Sequence, residues 1–198
     1  GEKNKTLQTV EYIYEKLIDA ELDRSGFIVG IGGGILCDIA GFVASTYLRG
    51  VPFGFVSTTL LSQVDASIGG KNGVNLKGYK NMIGVFNQPE FVICDCNLLN
   101  TLSQEDYMTG FAEIIKHACI RNSSMFDYLE DHAEEALQMD QKVIHRLVRD
   151  SLVIKAGVVE RDERESGERR ILNFGHTYGH ALEKLTGISH GEAISVGM

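Results

Sequence analysis

"FIVGIGGGILCDIAGFVASTYLRGVPFGFVST", residues 27–58, decides the fold of this chain. It opens on the apolar run 27–31, short and rich in β-branched residues, and turns through Gly30, Gly32, Gly33 and Gly34. In the CDIAGFVASTYLRG that follows, the apolar positions Ile39, Phe42, Val43 and Tyr47 recur near helical spacing. A second β-rich run, FGFVST (53–58), closes the stretch. Working outward, Leu7, Val10, Ile13, Tyr14, Leu17 and Ile18 mark an amphipathic helix upstream, and FVICD (91–95) reads as a further strand downstream. Alternating strands and helices predict a sheet with parallel strands and helices packed on its faces.

After residue 103 there is hardly a strand candidate. Ser103 is a suitable N-cap for a helix with acids in its first turn, and further helices are expected over roughly 123–137, 140–165 and 170–186, the last ended by Gly187. The expected organisation is an α/β nucleotide-type domain over 1–103 and a helical domain over 104–198. Both ends read as cut. The chain opens on a loop into a helix and stops at EAISVGM with a helical pattern still running, so a fragment of a longer protein is expected.

Composition narrows the function classes. The 198 residues are 43% hydrophobic and 23% charged, with no apolar run near membrane-spanning length and no signal-peptide pattern at the start. A net charge of −8 argues against broad nucleic-acid binding. Cys37, Cys94, Cys96 and Cys119 form no CxxC pair and read as reduced residues of a cytoplasmic protein.

The glycine turn after the first strand lets backbone N–H groups at a helix start face a phosphate, with Asp38 one turn in. It is not the standard dinucleotide fingerprint, because Ile35 stands where GxGxxG from Gly30 needs glycine. A tight turn without a ligand is the competing reading. SIGGKNGVN (67–75) fails the P-loop pattern, since Asp65 occupies the first glycine position and Asn72 follows Lys71. It reads as a Gly-rich polar loop, anion-binding or simply solvated, with Lys80 and Asn81 close behind.

In GFAEIIKHACI, Glu113 and Lys116 share a helix face and, taken alone, read as a surface ion pair. The histidines change the balance. His176 and His180 stand at i, i+4, the spacing of helical zinc sites, and His190 follows in a second short segment. Gly175 and Gly179 flank the pair; glycine costs roughly 1 kcal/mol per helical position, so a ligand or another backbone is expected to come close. Spacing selects His176 and His180 as ligands of a catalytic divalent metal, with Glu113 or His190 as the third; the alternative is histidines that cap or pack helices. His117, His132 and His145 read as surface residues. So do Arg161, Asp162, Glu163, Arg164 and Glu165, in a solvated stretch that turns at Gly167. Lys155, set among apolar neighbours, and Arg169, just upstream of the histidine helix, are less ordinary.

Taken together, GGGILCDIAGFVASTYLRG, STTLLSQVDASIGGKNGVN, KNMIG, FAEIIKHA, RDERESGERRILNFGHTYGHALE and HGEAISVGM resemble the 3-dehydroquinate synthase family of sugar-phosphate cyclases. Even GEKNK at the start is similar to the family's GExxK segment. The resemblance implies an NAD-binding α/β domain, a helical metal domain and an active site in the cleft between them. It assigns zinc or cobalt to Glu113, His176 and His190, and makes His180 a catalytic histidine instead of a ligand. Lys116, Lys155, Arg169 and Asn173 match catalytic and substrate-binding positions, as do Asp65, Lys71, Lys80 and Asn81 in the Gly-rich loops. Glu2, Lys5, Gly33, Gly34, Asp38, Thr58 and Thr59 correspond to NAD contacts, to which Lys71 and Lys80 are added. Arg49 matches an arginine that reaches the substrate phosphate from a neighbouring subunit, so a homodimer is implied.

The implied reaction converts 3-deoxy-D-arabino-heptulosonate 7-phosphate to 3-dehydroquinate and phosphate in the shikimate pathway. It proceeds by transient oxidation, phosphate elimination, reduction and aldol closure, with NAD regenerated each turnover. Several Lys and Arg groups meeting an anionic sugar phosphate suit an acidic protein that binds neither nucleic acid nor membrane. The competing readings are a related cyclase acting on another sugar phosphate, a metal-dependent polyol dehydrogenase, and an inactive fragment or partner-binding module.

Overall fold

The structure is a computed structural model describing residues 1–198. It divides into two compact units: Gly1–Thr58 with Ala66–Cys94, and Thr59–Asp65 with Asp95–Met198. Where a single boundary was expected at residue 103, the packing of the chain divides it at 94/95 and also places residues 59–65 with the helical unit.

The first unit begins with helix α1 (Leu7–Asp19), whose N-cap Thr6 accepts a hydrogen bond from Thr9 N at 3.3 Å. Strand β1 (Ile28–Gly32) leads into helix α2 (Gly34–Thr46), and β2 (Phe53–Ser57) follows. Together with β5 (Val92–Cys94) they make a parallel sheet of order β1-β2-β5, in which Ile31 pairs with Val56 and Val56 with Ile93. Helix α2 is buried on several sides, through Cys37, Ile39, Phe42, Val43 and Ala44, because it packs on β1, β2 and a hairpin at once. That hairpin corrects the expected polar loop: Lys71–Leu76 (β3) and Tyr79–Phe86 (β4) pair antiparallel, with Val74 fully buried against Val10 and Val43. Glycines at 69, 70, 73 and 78 masked the period-two pattern. On the sheet face opposite Gly30, the apolar Val29, Ile31 and Ile93 remain exposed.

The second unit is helical: α3 (Gln104–Arg121), α4 (Ser123–Asp131), α5 (Ala133–Leu137), α6 (Gln141–Arg161), α7 (His176–Thr186) and α8 (His190–Gly197). Ser103 caps α3 by accepting from Asp106 N at 3.1 Å. The helix expected over 123–137 is two, broken at His132, and the one expected over 170–186 is a 3-10 turn (Glu168–Asn173) followed by α7. Gly187 ends α7 in the left-handed conformation, and a Ser189–Glu192 capping box starts α8. No helix is long and apolar enough to cross a membrane.

Candidate metal and anion site

Helix α3 presents Glu113, Lys116 and His117, at i, i+3 and i+4, on one buried face. Burying charge is costly unless it is paired. Glu113 is 0% exposed and Lys116 1%, and the Lys116 ammonium lies in close contact with Glu113 Oε2. Glu113 Oε1 has no hydrogen-bond partner but is flanked at 3.7 Å by His176 Nε2 and again at 3.7 Å by His190 Nε2. Donor atoms of Glu113, His176 and His190 all lie within 4.8 Å of one another. A tetrahedral ion bound at about 2.0–2.1 Å wants donors about 3.3 Å apart, so a small contraction closes this set around a divalent cation. Two imidazoles and one carboxylate leave a fourth position open, as catalytic sites do.

The surroundings prepare these donors. His176 Nδ1 lies 3.1 Å from the Phe174 carbonyl, which favours the tautomer with Nε2 unprotonated and turned to Glu113. Glu183 Oε2 stands 3.6 Å from His190 Nδ1. Burial and the nearby Asp65 push the Glu113 carboxyl up, but His190 and Lys116 outweigh them and hold it below its usual range. Burial lowers His176 with help from Lys116, whereas His190, despite burial, is raised by Glu113.

The glycines explain how two helices meet here. A Cβ on Gly179 would sit 3.0 Å from the Ala193 carbonyl oxygen, and Gly175, at φ 80°, abuts Ile194 O. Of the two expectations, ligand or backbone, the close neighbour in this unit is the backbone of α8.

His180, although one turn from His176 with ring centroids 5.2 Å apart, is not in the set that contains Glu113; it forms a second grouping with Glu183 and His190. The spacing-based pair is therefore not the one that converges on the carboxylate. His117 departs further from expectation. Read as a surface residue, it is fully buried, and its donor atoms lie with those of Asp65 and Glu113 within 4.8 Å. Burial, above all, drops its imidazole to about 4. Its place at i+4 from Glu113 was the available signal. His145 is exposed and His132 half-buried.

The same unit gathers cations. Asp65, delivered by the π-helical turn Ser62–Ala66, accepts from Lys155 Nζ at 2.5 Å through both Oδ1 and its backbone oxygen. Burial would raise Asp65, yet Lys155, Lys116 and His117 together hold it well below its usual range. Burial likewise lowers Lys155 against the pull of Asp65. Arg169 is 2% exposed, and burial lowers its guanidinium while Glu165 and Asp65 oppose. Asn173 donates to Glu165 Oε1 at 2.5 Å. Such clusters of buried, mutually perturbed groups mark functional sites.

In the other unit, Lys5 is buried and ties Asp38 to Asn81, donating to Asn81 Oδ1 at 2.5 Å. Gly33 and Gly34 form the N-terminus of α2, which has no side-chain cap. Thr58 N donates to Gly32 O at 3.0 Å beside it, while Thr59 belongs to the helical unit and bonds Ser62. Glu2 accepts from Asn75 Nδ2 at 2.7 Å. Lys71 and Lys80 are exposed on the hairpin, and Arg49 is exposed in a left-handed turn at φ 69°.

The α/β unit and the helical unit have the fold of solved sugar-phosphate cyclases. A 2-deoxy-scyllo-inosose synthase solved with carbaglucose-6-phosphate, NAD+ and Co2+ is 34% identical with a TM-score of 0.93, covering 100% of this chain and 55% of that one. The 2-epi-5-epi-valiolone synthase ValA of Streptomyces hygroscopicus subsp. jinggangensis 5008, with NAD+ and Zn2+ bound, is 30% identical with a TM-score of 0.94, covering 100% of this chain and 56% of that one. Residues 1–109 match the 3-dehydroquinate synthase N-terminal family model and residues 110–198 the C-terminal one. The chain belongs to the 3-dehydroquinate synthase family. A 3-dehydroquinate synthase of Geotalea uraniireducens (strain Rf4) is 48% identical over the whole chain, which spans 56% of that relative's length.

Proposed function

We propose that the chain carries the catalytic groups of a 3-dehydroquinate synthase, releasing phosphate from 3-deoxy-D-arabino-heptulosonate 7-phosphate to form 3-dehydroquinate. The observation that carries the reading is the convergence of Glu113, His176 and His190 around one unpaired carboxylate oxygen, beside buried Lys116, Lys155 and Arg169. These residues fit a divalent ion, and the related cyclases were solved with Co2+ or Zn2+ and with NAD+.

Glu113, His176 and His190 would hold zinc or cobalt, and Gly33, Gly34, Asp38, Lys5, Glu2, Thr58, Thr59, Lys71 and Lys80 are assigned to NAD. When bound, the metal supplies Lewis-acid polarisation of a substrate hydroxyl, and NAD supplies reversible hydride acceptance. The chain's own residues do the rest. Lys155, Arg169, Lys116 and Asn173 bind and orient the substrate's carboxylate and hydroxyls, and their positive charge favours the anionic intermediate after proton loss. Asp65 keeps Lys155 charged and in place through their ion pair. His180 moves a proton at the reacting carbon or its hydroxyl. Lys80, Asn81 and Arg49 are assigned to the substrate's phosphate end, Arg49 from a second copy in a homodimer. The setting is the cytoplasm.

Identity favours the dehydroquinate reaction over other cyclisations: the relative bearing that name is 48% identical, the two other cyclases 34% and 30%. The test is phosphate release from the heptulosonate phosphate by the full chain with NAD and zinc or cobalt. Release without net NADH is expected. NADH accumulating one-for-one with product would favour a polyol dehydrogenase, and release only from another sugar phosphate would favour a related cyclase.

A further inference from the structure

The stretch RDERESGER (161–169) has the composition of a solvated turn, but its geometry is that of a clamp. Asp162 follows the last turn of α6, anchored by its own N–H to Val158 O at 3.1 Å. From that fixed point its carboxylate accepts four hydrogen bonds. Oδ1 takes Ser166 N at 2.9 Å and Ser166 Oγ at 3.1 Å; Oδ2 takes Gly167 N at 2.7 Å and Arg169 N at 3.0 Å. A carboxylate offers about four lone-pair positions, and all are used here.

A second tie closes the loop from outside. Arg161 grips Glu168 in a fork, Nε to Oε2 at 2.9 Å and Nη2 to Oε1 at 3.0 Å, and Arg121 of α3 contacts the same carboxylate. Between the two ties the chain bends back through Glu165 at φ 58°, a left-handed conformation that strains a non-glycine residue and needs such restraint. The bend sets Glu165 to receive Asn173, and both line a cavity of about 530 Å³ together with Arg170 and Thr177. It also turns Arg169 inward, so that its guanidinium is buried and reaches the Glu163 carbonyl.

We propose that Asp162 is a positioning residue: by folding the 162–169 loop it holds Arg169 and Asn173 in the orientation that receives an anionic substrate. This rests on the synthase reading, in which Arg169 and Asn173 meet substrate. The hydrogen bonds from Arg169 and Gly167, first among several, hold the Asp162 carboxyl down at about 2, so the clamp is charged throughout the working pH range.

The test compares wild type, Asp162→Ala, Asp162→Asn and Arg161→Met in the full chain. Phenylglyoxal labelling of Arg169 and hydrogen exchange over 163–173 report the clamp without any assay of activity. Asp162→Ala is expected to label Arg169 at least about tenfold faster, with α6 and α7 still protected and Co2+ stoichiometry unchanged. KM for the sugar phosphate should rise about tenfold or more while kcat moves less. Asp162→Asn, which keeps one acceptor oxygen, should fall between. If the alanine variant fails to fold, Arg161→Met, which opens only the outer tie, must give a smaller shift in the same direction. Unchanged Arg169 labelling overturns the proposal, as does loss of bound Co2+ and of α7 protection together with KM. A wild type that binds metal but releases no phosphate would sink the synthase reading, and the labelling would still decide whether Asp162 holds the loop.

Discussion

Replacing Gly191 with alanine pushes α8 away from α3 at the point where the proposed metal donors Glu113 and His190 meet. A Cβ there would lie 2.6 Å from Thr109 Cα and 2.7 Å from Thr109 O. These are backbone atoms, so no rotamer change relieves the clash. Reaching ordinary contact at 3.4 Å requires a retreat of about 0.8 Å. Glu113 is one turn beyond Thr109, and His190 adjoins Gly191, so the retreat falls on the 3.7 Å His190 Nε2–Glu113 Oε1 separation. Overpacking of this kind costs about 1–3 kcal/mol of stability, and displacing one ligand should weaken metal binding about ten- to hundredfold. The assay is Co2+ affinity by chelator competition, paired with thermal unfolding of the metal-free protein. Gly187→Ala is the control: its φ of +73° makes alanine cost about 1 kcal/mol, but no atom lies within 4 Å of the added Cβ. It should lower the melting temperature and leave Co2+ affinity alone. Wild-type affinity in Gly191→Ala, or equal weakening in both variants, would refute the reasoning.

His190→Ala should lose the metal, whereas His180→Ala should keep it and lose kcat; loss of metal from both would reinstate the pair chosen by helical spacing. His117, neutral in the fold down to about 4 against 6.5 unfolded, sets an acid window. Above pH 6.5 neither state binds its proton; below, only the unfolded state does, so metal-free stability should fall by up to about 3 kcal/mol between pH 6.5 and 4. Denaturant melts of wild type and His117→Gln check this, and equal pH slopes in the two would contradict it. Burial first, and Asp38 next, push the Cys37 thiol up to about 12, while Cys119 is exposed. Maleimide should therefore label native Cys119 and spare Cys37, and comparable rates at both would count against the buried placement.

Much of the fold was legible from local patterns. The Val10 face of α1, the strands around 28–32 and 53–57, and the Ser103 cap each follow from apolar period or end chemistry carried by a few adjacent residues. The hairpin at 71–86 was not, because its glycines and lysines dilute the alternation and its order comes from packing Val74 under α2. His117, read as a surface residue, is buried. Its burial depends on side chains distant in sequence, Asp65 among them, and the hydrogen bonds of Asp162 depend on a loop closing on itself.

Spacing and motifs with fixed residues carried the alternation of β1, α2 and β2, the helical second half and the resemblance to a cyclase family, because each rests on residues close together in the chain. Tertiary structure decided which histidines meet the carboxylate. An i, i+4 spacing guarantees only that His176 and His180 share a face of α7. That His190 is the one beside Glu113 depends on α7, α8 and α3 coming close enough for Gly179 and Gly191 to touch neighbouring backbone, a distance that no single helix encodes.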